Sequence, residues 1–363
     1  MRIVTVVGNR PQFVKAAAVS RLLRAHHEEL IVHTGQHYDD ALSRVFFDEL
    51  AIPEPDAQLE AGTGTNTAQT ARILGELEGV LEELEPDVVL VYGDTNSTLA
   101  GALAGAQSRR PVAHVEAGMR SFDRAMPEEL NRVLCDHASD LLLCSTPRAV
   151  ENLAAEGIRE GVHLVGDVMA DVSISFAEVA ERRSTALEEH GLAAGEYLLV
   201  TAHRAGNVDP PERLEALVEL LEALPIKAVF PLHPRTHARL TSTGLLERLE
   251  RAERLVLVPP LGYLDFLVLA RSARAVLTDS GGVQKEAYLL GVPCVTLRPS
   301  TEWVETVEAG WNELVDLDRE AALAALARVD GGEVAARPRP ELYGGGHAAE
   351  RIVEVIGTYT PAR

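Results

Sequence analysis

The sequence is short of cysteine, short of basic residues relative to acids, and without any long apolar run. Its three cysteines, Cys135, Cys144 and Cys294, show no metal-ligand spacing. An odd and sparse count fits a reducing compartment and excludes a disulfide framework. Lys plus Arg total 34 against 55 for Asp plus Glu, a formal charge of −21. That deficit argues against a nucleic acid as partner, since a polyanion needs a basic face. A small anion held by a few local cations remains compatible with it. No apolar run approaches the roughly 20 residues that span a bilayer, and MRIVTVVGN lacks the long h-region of a signal peptide. The expectation is a soluble, cytoplasmic protein with no membrane partner.

What is present is globular: 46% hydrophobic and 25% charged residues over 363 positions. Domains run about 100–200 residues, so two are expected. Apolar, β-branched runs begin at Arg2, Leu30, Asp87, Pro111 and Asp140, and again at Tyr197, Lys227, Arg254, Arg274 and Pro293. Continuous runs of this kind suit strands buried on both faces of a parallel sheet. Between them lie amphipathic, helix-length segments such as NTAQTARILGELEGVLEELE. Strand–helix alternation predicts an α/β fold of two Rossmann-like, doubly wound domains facing a cleft. The expected domains are 1–168, joined by a C-terminal helix at 347–363, and 169–346, with a hinge near Gly166–Asp171. The stretch Gly331–Gly346 is rich in Gly and Pro and reads as a loop.

In open parallel sheets ligands sit outside the carboxyl ends of the strands. The residues placed there by the pattern are Gly8-Asn9-Arg10, Gln36-His37, Gly93-Asp94-Thr95 and Glu116-Ala117-Gly118 in the first block. In the second they are His203-Arg204, His233-Pro234-Arg235 and Asp279-Ser280-Gly281-Gly282. The Ser280-Gly281-Gly282 turn opens a helix, whose free N–H groups and dipole favour an anion, with Glu286 within the first turns. An ordinary Ser/Gly cap would look the same. The opening GNRPQFVK is not GxGxxG. It places Arg10 in the first loop and Lys15 about one turn into the helix, either facing a diphosphate or simply solvated. Asp94 and Glu116 end adjacent strands, where a carboxylate is rarely placed for packing. Glu128 follows Pro127 in a helical first turn, on one face with Arg132. Converging carboxylates suit acid–base work, although Glu128 and Glu129 also suit a helix start. His203 and His233 suit phosphate contact or proton transfer. No metal is expected, because HxxxH and HExxH spacings are absent.

With these residues in place, the chain resembles the non-hydrolysing UDP-N-acetylglucosamine 2-epimerases over essentially its whole length. The shared motifs are GxRPxxxK, TGQH, GDTNST, HVEAGMRS, PEELNR, AHR, LHPRT, TDSGGVQKEA and GVPCVTLRPSTE, in that order. The resemblance implies the two-domain GT-B fold and inversion at C2 of a UDP-sugar without an added cofactor. UDP would leave by elimination, giving a bound 2-acetamidoglucal, and return after protonation from the other face. By motif position Asp94, Glu116, Glu128 and His203 match catalytic residues. Arg10, Lys15, His233, Ser280, Gly281, Gly282 and Glu286 match UDP-binding positions, Arg132 a substrate contact and Gln36 an effector contact. A homodimer is implied as well.

Three positions depart from the family: Gly206 stands where Glu is usual, Trp303 where many members have Arg, and Gly345 where Asp is common. RPQF and TEWVE resemble the branch acting on UDP-2,3-diacetamido uronic sugars, an alternative substrate. A GT-B glycosyltransferase, a non-catalytic UDP-sugar sensor and a hydrolysing epimerase are the other readings.

Overall fold

The computed structural model describes residues 1–36 and 54–360, so His37 of the second strand end lies outside them. The chain forms two units, Met1–Val172 with Glu341–Arg363, and Ser173–Pro340. The first carries a parallel sheet of β1 (Arg2–Val7), β2 (Glu28–His33), β3 (Ala57–Gln58), β4 (Val88–Tyr92), β5 (Val112–Ala117), β6 (Leu141–Cys144) and β7 (Val162–Leu164). Their order is β3-β2-β1-β4-β5-β6-β7. The second carries β8 (Tyr197–Thr201), β9 (Lys227–Pro231), β10 (Leu255–Val258), β11 (Ala275–Thr278), β12 (Cys294–Thr296) and β13 (Asn312–Leu314), ordered β10-β9-β8-β11-β12-β13. Every neighbouring pair is parallel. The fold is α/β, with two Rossmann-like units.

All ten apolar runs form strands, and the interior ones are buried at their centres: Ile3, Val4, Val6, Val89, Leu90 and Leu199 have no exposed surface, whereas the centre of the edge strand β10 is half-buried. β3, β7 and β13 were not expected from the pattern. They are two or three residues long and each closes an edge of its sheet. Two or three residues are too few to make an apolar run; β10, also at an edge, is four residues long and all apolar.

Each sheet reverses its strand order once, between β1 and β4 and between β8 and β11. Connections leave such a point in opposite directions and open a crevice at the carboxyl ends. In the first unit the helix Asn96–Gln107 lies unusually close to the sheet. A Cβ on Gly101 would come 2.8 Å from Val91 Cγ1, and one on Gly105 2.7 Å from Val112 Cγ2. The two glycines, one helical turn apart, let backbone pack directly on strand side chains.

The helix Ala348–Thr358 belongs to the first unit and packs on the helix Arg10–His26. Its own N-cap, His347, makes no side-chain capping bond. Instead Asp171, far away in sequence, accepts from the backbone N–H groups of Ala348 (3.0 Å) and Ala349 (2.8 Å). Nearby, Asp167 N donates to Tyr343 O at 2.9 Å, so the two segments joining the units run side by side.

Candidate active site

At the first reversal point the loops after β1, β2 and β4 are tied together by short polar side chains. Gly8 admits no side chain, because its Cβ would fall 2.0 Å from Ser97 Oγ and 2.3 Å from Thr34 Oγ1. Gln12, buried, accepts from Gly8 N (2.8 Å) and donates to Tyr92 O (2.7 Å) and Thr98 Oγ1 (2.9 Å). It locks the first βα loop to the Gly93-Asp94-Thr95 loop, a part that motif reading did not assign to it. Gln36 accepts from Ser97 N (3.1 Å) and Ser97 Oγ (2.6 Å). Arg10 is the first residue of the helix Arg10–His26.

Both strand-end carboxylates are paired with cations. Asp94 Oδ2 accepts from Arg132 Nη2 (2.6 Å) and Nε (3.0 Å). Glu116 pairs with Lys15 Nζ, both side chains about 13% exposed. Lys15 is thus engaged by a carboxylate of its own unit. Glu116 stands within β5 at a break in register between Val115 and Ala117, with φ +70°. A non-glycine residue in this left-handed region costs on the order of 1–3 kcal/mol and persists only where its surroundings enforce it. The bulge turns the Glu116 side chain out of the alternation of the strand.

Glu128 and Glu129 open the helix Pro127–Ala138, Pro127 at its first position. Glu128 is exposed, while Glu129 is buried. Glu129 accepts from Ser121 N (2.8 Å), Phe122 N (2.9 Å) and Arg132 Nη1 (2.9 Å), which clamps the loop before the helix. The expected partnership of Arg132 with Glu128 is therefore replaced. Arg132 reaches Glu129 three residues away and Asp94 beyond it, because both acceptors lie on its buried side. Despite burial, the N–H donors and Arg132 hold the Glu129 carboxyl below its ordinary value.

At the second reversal point Asp279, wholly buried, accepts from the backbone of His203 (3.0 Å) and Arg204 (2.9 Å) and from Asn207. This carboxylate shapes the AHR turn. The rings of His203 and His233 stack, centroids 5.1 Å apart and 28° from parallel. His233 caps the helix Pro234–Thr243 by accepting from Arg235 N at 3.1 Å through Nδ1. Burial first, with nearby arginines, lowers the pKa of His203, and burial with the His203 neighbour lowers that of His233. The stacked pair is neutral near pH 7.

Ser280 begins the helix Gly281–Leu290 without a side-chain capping bond. A Cβ on Gly281 would lie 2.3 Å from Glu302 Oε1, so this carboxylate rests at the start of the helix. Arg298 (2.9 Å) and Arg204 (3.7 Å) neutralise it. A Cβ on Gly282 meets only Ser280 Oγ, at 4.0 Å. Glu286 is buried one turn further on. Arg235, expected among the ligand cations, is held by Asp209 at 2.5 Å. Trp303 is buried with Lys285 Nζ 4.5 Å from its ring centre. An Arg at 303 would set like charges together there, whereas the indole face welcomes the cation. Gly206 is exposed with open space about it. Gly345 has φ +66° within a run of three left-handed glycines. Among the described residues no group of three or more His, Cys, Asp or Glu converges as metal ligands do.

The chain is 48% identical to a UDP-N-acetylglucosamine 2-epimerase homolog of Methanococcus maripaludis, covering 98% of this chain and 99% of that one. It is 46% identical, over 98% and 99%, to the UDP-2,3-diacetamido-2,3-dideoxy-D-glucuronate 2-epimerase of Pseudomonas aeruginosa. The crystal structure of Methanocaldococcus jannaschii UDP-GlcNAc 2-epimerase in complex with UDP-GlcNAc and UDP matches with a TM-score of 0.89 and 41% identity, over 98% and 99% of the two chains. The family model for UDP-N-acetylglucosamine 2-epimerase matches residues 21–357. A reversal-point cluster of cation-paired carboxylates in one unit and a Gly-Gly helix start in the other thus accompany full-length similarity, and the chain belongs to the UDP-N-acetylglucosamine 2-epimerase family.

Proposed function

We propose that the protein inverts C2 of UDP-N-acetylglucosamine, giving UDP-N-acetylmannosamine, by elimination and re-addition of UDP. The C2 proton lies beside no carbonyl, so direct removal is costly. Breaking C1–O with oxocarbenium character while C2 loses its proton avoids that cost and leaves a 2-acetamidoglucal beside UDP. The observation that carries this reading is the pair of carboxylates on adjacent strand ends, Asp94 and Glu116, each held beside a cation. Together with Glu128 they form the acid–base set, and His203 takes or gives a proton. Arg132 contacts the sugar. The helix start at Ser280, Gly281 and Gly282, with His233 and Glu286, takes the UDP moiety, helped by Arg10 and Lys15. Gln36 contacts an effector. No added cofactor is required.

A second substrate, the UDP-2,3-diacetamido uronic sugar, is favoured by the 46% identity to an epimerase of that name. We also propose a cytoplasmic homodimer, whose check is a sedimentation mass twice that of the chain. No described helix is long and apolar enough to cross a membrane.

Incubation with UDP-GlcNAc in D2O, followed by NMR, tests the reading. Deuterium at C2 together with UDP-ManNAc is expected. Absence of exchange, glucal and free UDP with this sugar points to the diacetamido uronate, and the same silence there refutes the activity. Asp94→Asn, Glu116→Gln and Glu128→Gln are each expected to lower kcat about a hundredfold or more.

A further inference from the structure

Behind Asp94 and Glu116 lies a buried charge network that the proposed chemistry does not use. His114, on β5, has no exposed surface. Its Nε2 is 2.7 Å from Gly93 O and its Nδ1 2.7 Å from Asp136 Oδ1. Asp136 Oδ2 accepts from Gly118 N (3.0 Å) and Arg120 Nη1 (2.7 Å), and Arg120 in turn grips Glu156 through two nitrogens. Charges therefore alternate along the row His114, Asp136, Arg120, Glu156.

The partners of His114 decide its protonation. A backbone carbonyl only accepts, and Asp136, already accepting from a guanidinium and a backbone N–H, is a carboxylate that only accepts. Both ring nitrogens must donate, so the ring is an imidazolium. Burial alone would discharge it; the adjacent Cys135 sulfur and the Asp136 carboxylate outweigh burial and raise its pKa well above the ordinary value. Asp136 and Cys135 are titratable side chains that act directly on this ring, and Arg120 acts on it through Asp136.

The two ends of the network fall beside the two strand-end carboxylates. Gly93, whose carbonyl the ring holds, precedes Asp94. Gly118, whose N–H Asp136 holds, lies two residues after Glu116. Gly118 has φ +78°, and a Cβ there would strike Ala149 O at 2.3 Å. Glu116 itself is in the strained left-handed region, a conformation that needs outside support.

We propose that His114 is a positioning residue: donating through both ring nitrogens, it fixes the Asp94 loop to the strained Glu116 turn and so sets the geometry of the two carboxylates. This rests on the activity proposed above.

The test uses His114→Gln and His114→Phe in the full chain. Glutamine keeps one donor arm and phenylalanine none. About a tenfold to hundredfold fall in kcat is expected for Gln, more for Phe, with KM and UDP affinity within about twofold, because a small misplacement of reacting groups acts on kcat. A folded Gln variant with wild-type kcat overturns the proposal, as does a loss seen only in KM or in thermal stability. In nitrogen-15 NMR of the wild type, one histidine is expected to keep both ring nitrogens protonated as pH rises through about 6.5, where free imidazole titrates. A neutral tautomer at His114 overturns the proposal even if neither variant folds. A wild type inert to both sugars instead refutes the activity, which keeps the two failures apart.

Discussion

Gly281 and Gly282 are neighbours in sequence and opposites in what they permit. Glu302 fills the space beside Gly281, so a methyl group there must displace a carboxylate held by Arg298. Beside Gly282 a Cβ would meet only Ser280 Oγ, at 4.0 Å among the described residues, yet alanine would suit a helix better by up to about 1 kcal/mol. On the proposed UDP site, a ligand approaching the backbone would account for the glycine. Gly282→Ala is therefore expected to leave the melting temperature unchanged or raised while weakening UDP binding about tenfold or more, read by calorimetry. Gly281→Ala should lower the melting temperature. A Gly282→Ala protein that binds UDP normally would remove the helix start from the site. The sequence showed these residues at a strand end because Gly-Gly and Asp-Ser are visible as letters. It did not show the pairing of Lys15 with Glu116 or the bulge at Glu116, because both depend on how neighbouring strands are registered. The hydrophobic pattern of β5 is silent on a single inserted residue.

At the level of elements, the interior strands were legible because burial on both faces demands unbroken apolar letters, whereas β3, β7 and β13 have too few residues to make a pattern. The cap of the helix Ala348–Thr358 was equally hidden. His347 occupies the cap position, but the acceptor is Asp171, in another element. Helix starts leave unsatisfied N–H groups, and a buried one without an acceptor is costly. Burial pushes the Asp171 pKa up although both backbone donors favour its charge. Asp171→Ala is expected to destabilise by about 2–3 kcal/mol, the range for bonds to a charged acceptor. Limited proteolysis should then cut within the final helix before any cut in Ser173–Pro340. Asp171→Asn, retaining an acceptor, should recover part of the loss.

At the scale of the whole molecule, five histidines of the described residues divide by sign. His27, His33, His203 and His233 have pKa values lowered from 6.5, burial being the first cause in each. Below pH 6.5 the unfolded chain protonates them while the folded chain resists, so stability falls as pH drops through their folded values. His114 is raised, so its contribution is complete below pH 6.5 and is lost only as pH climbs through its higher folded value. The melting temperature is expected to be highest near neutrality and to decline as pH falls below about 6.5. His233→Asn should flatten that decline, and an unaltered slope would deny the stacked pair its part in it.

Because the first unit is built from Met1–Val172 and Glu341–Arg363, the second is an insertion within it. Ser173–Pro340 is contiguous and has all its partners once Pro340 is made. The helix Arg10–His26 must wait for Ala348–Thr358, synthesised after the entire second unit. At about 5–20 residues per second, that wait is on the order of fifteen to sixty-five seconds. During it, the helix Arg10–His26 stands without the helix that packs on it, and the later-born unit can finish folding first.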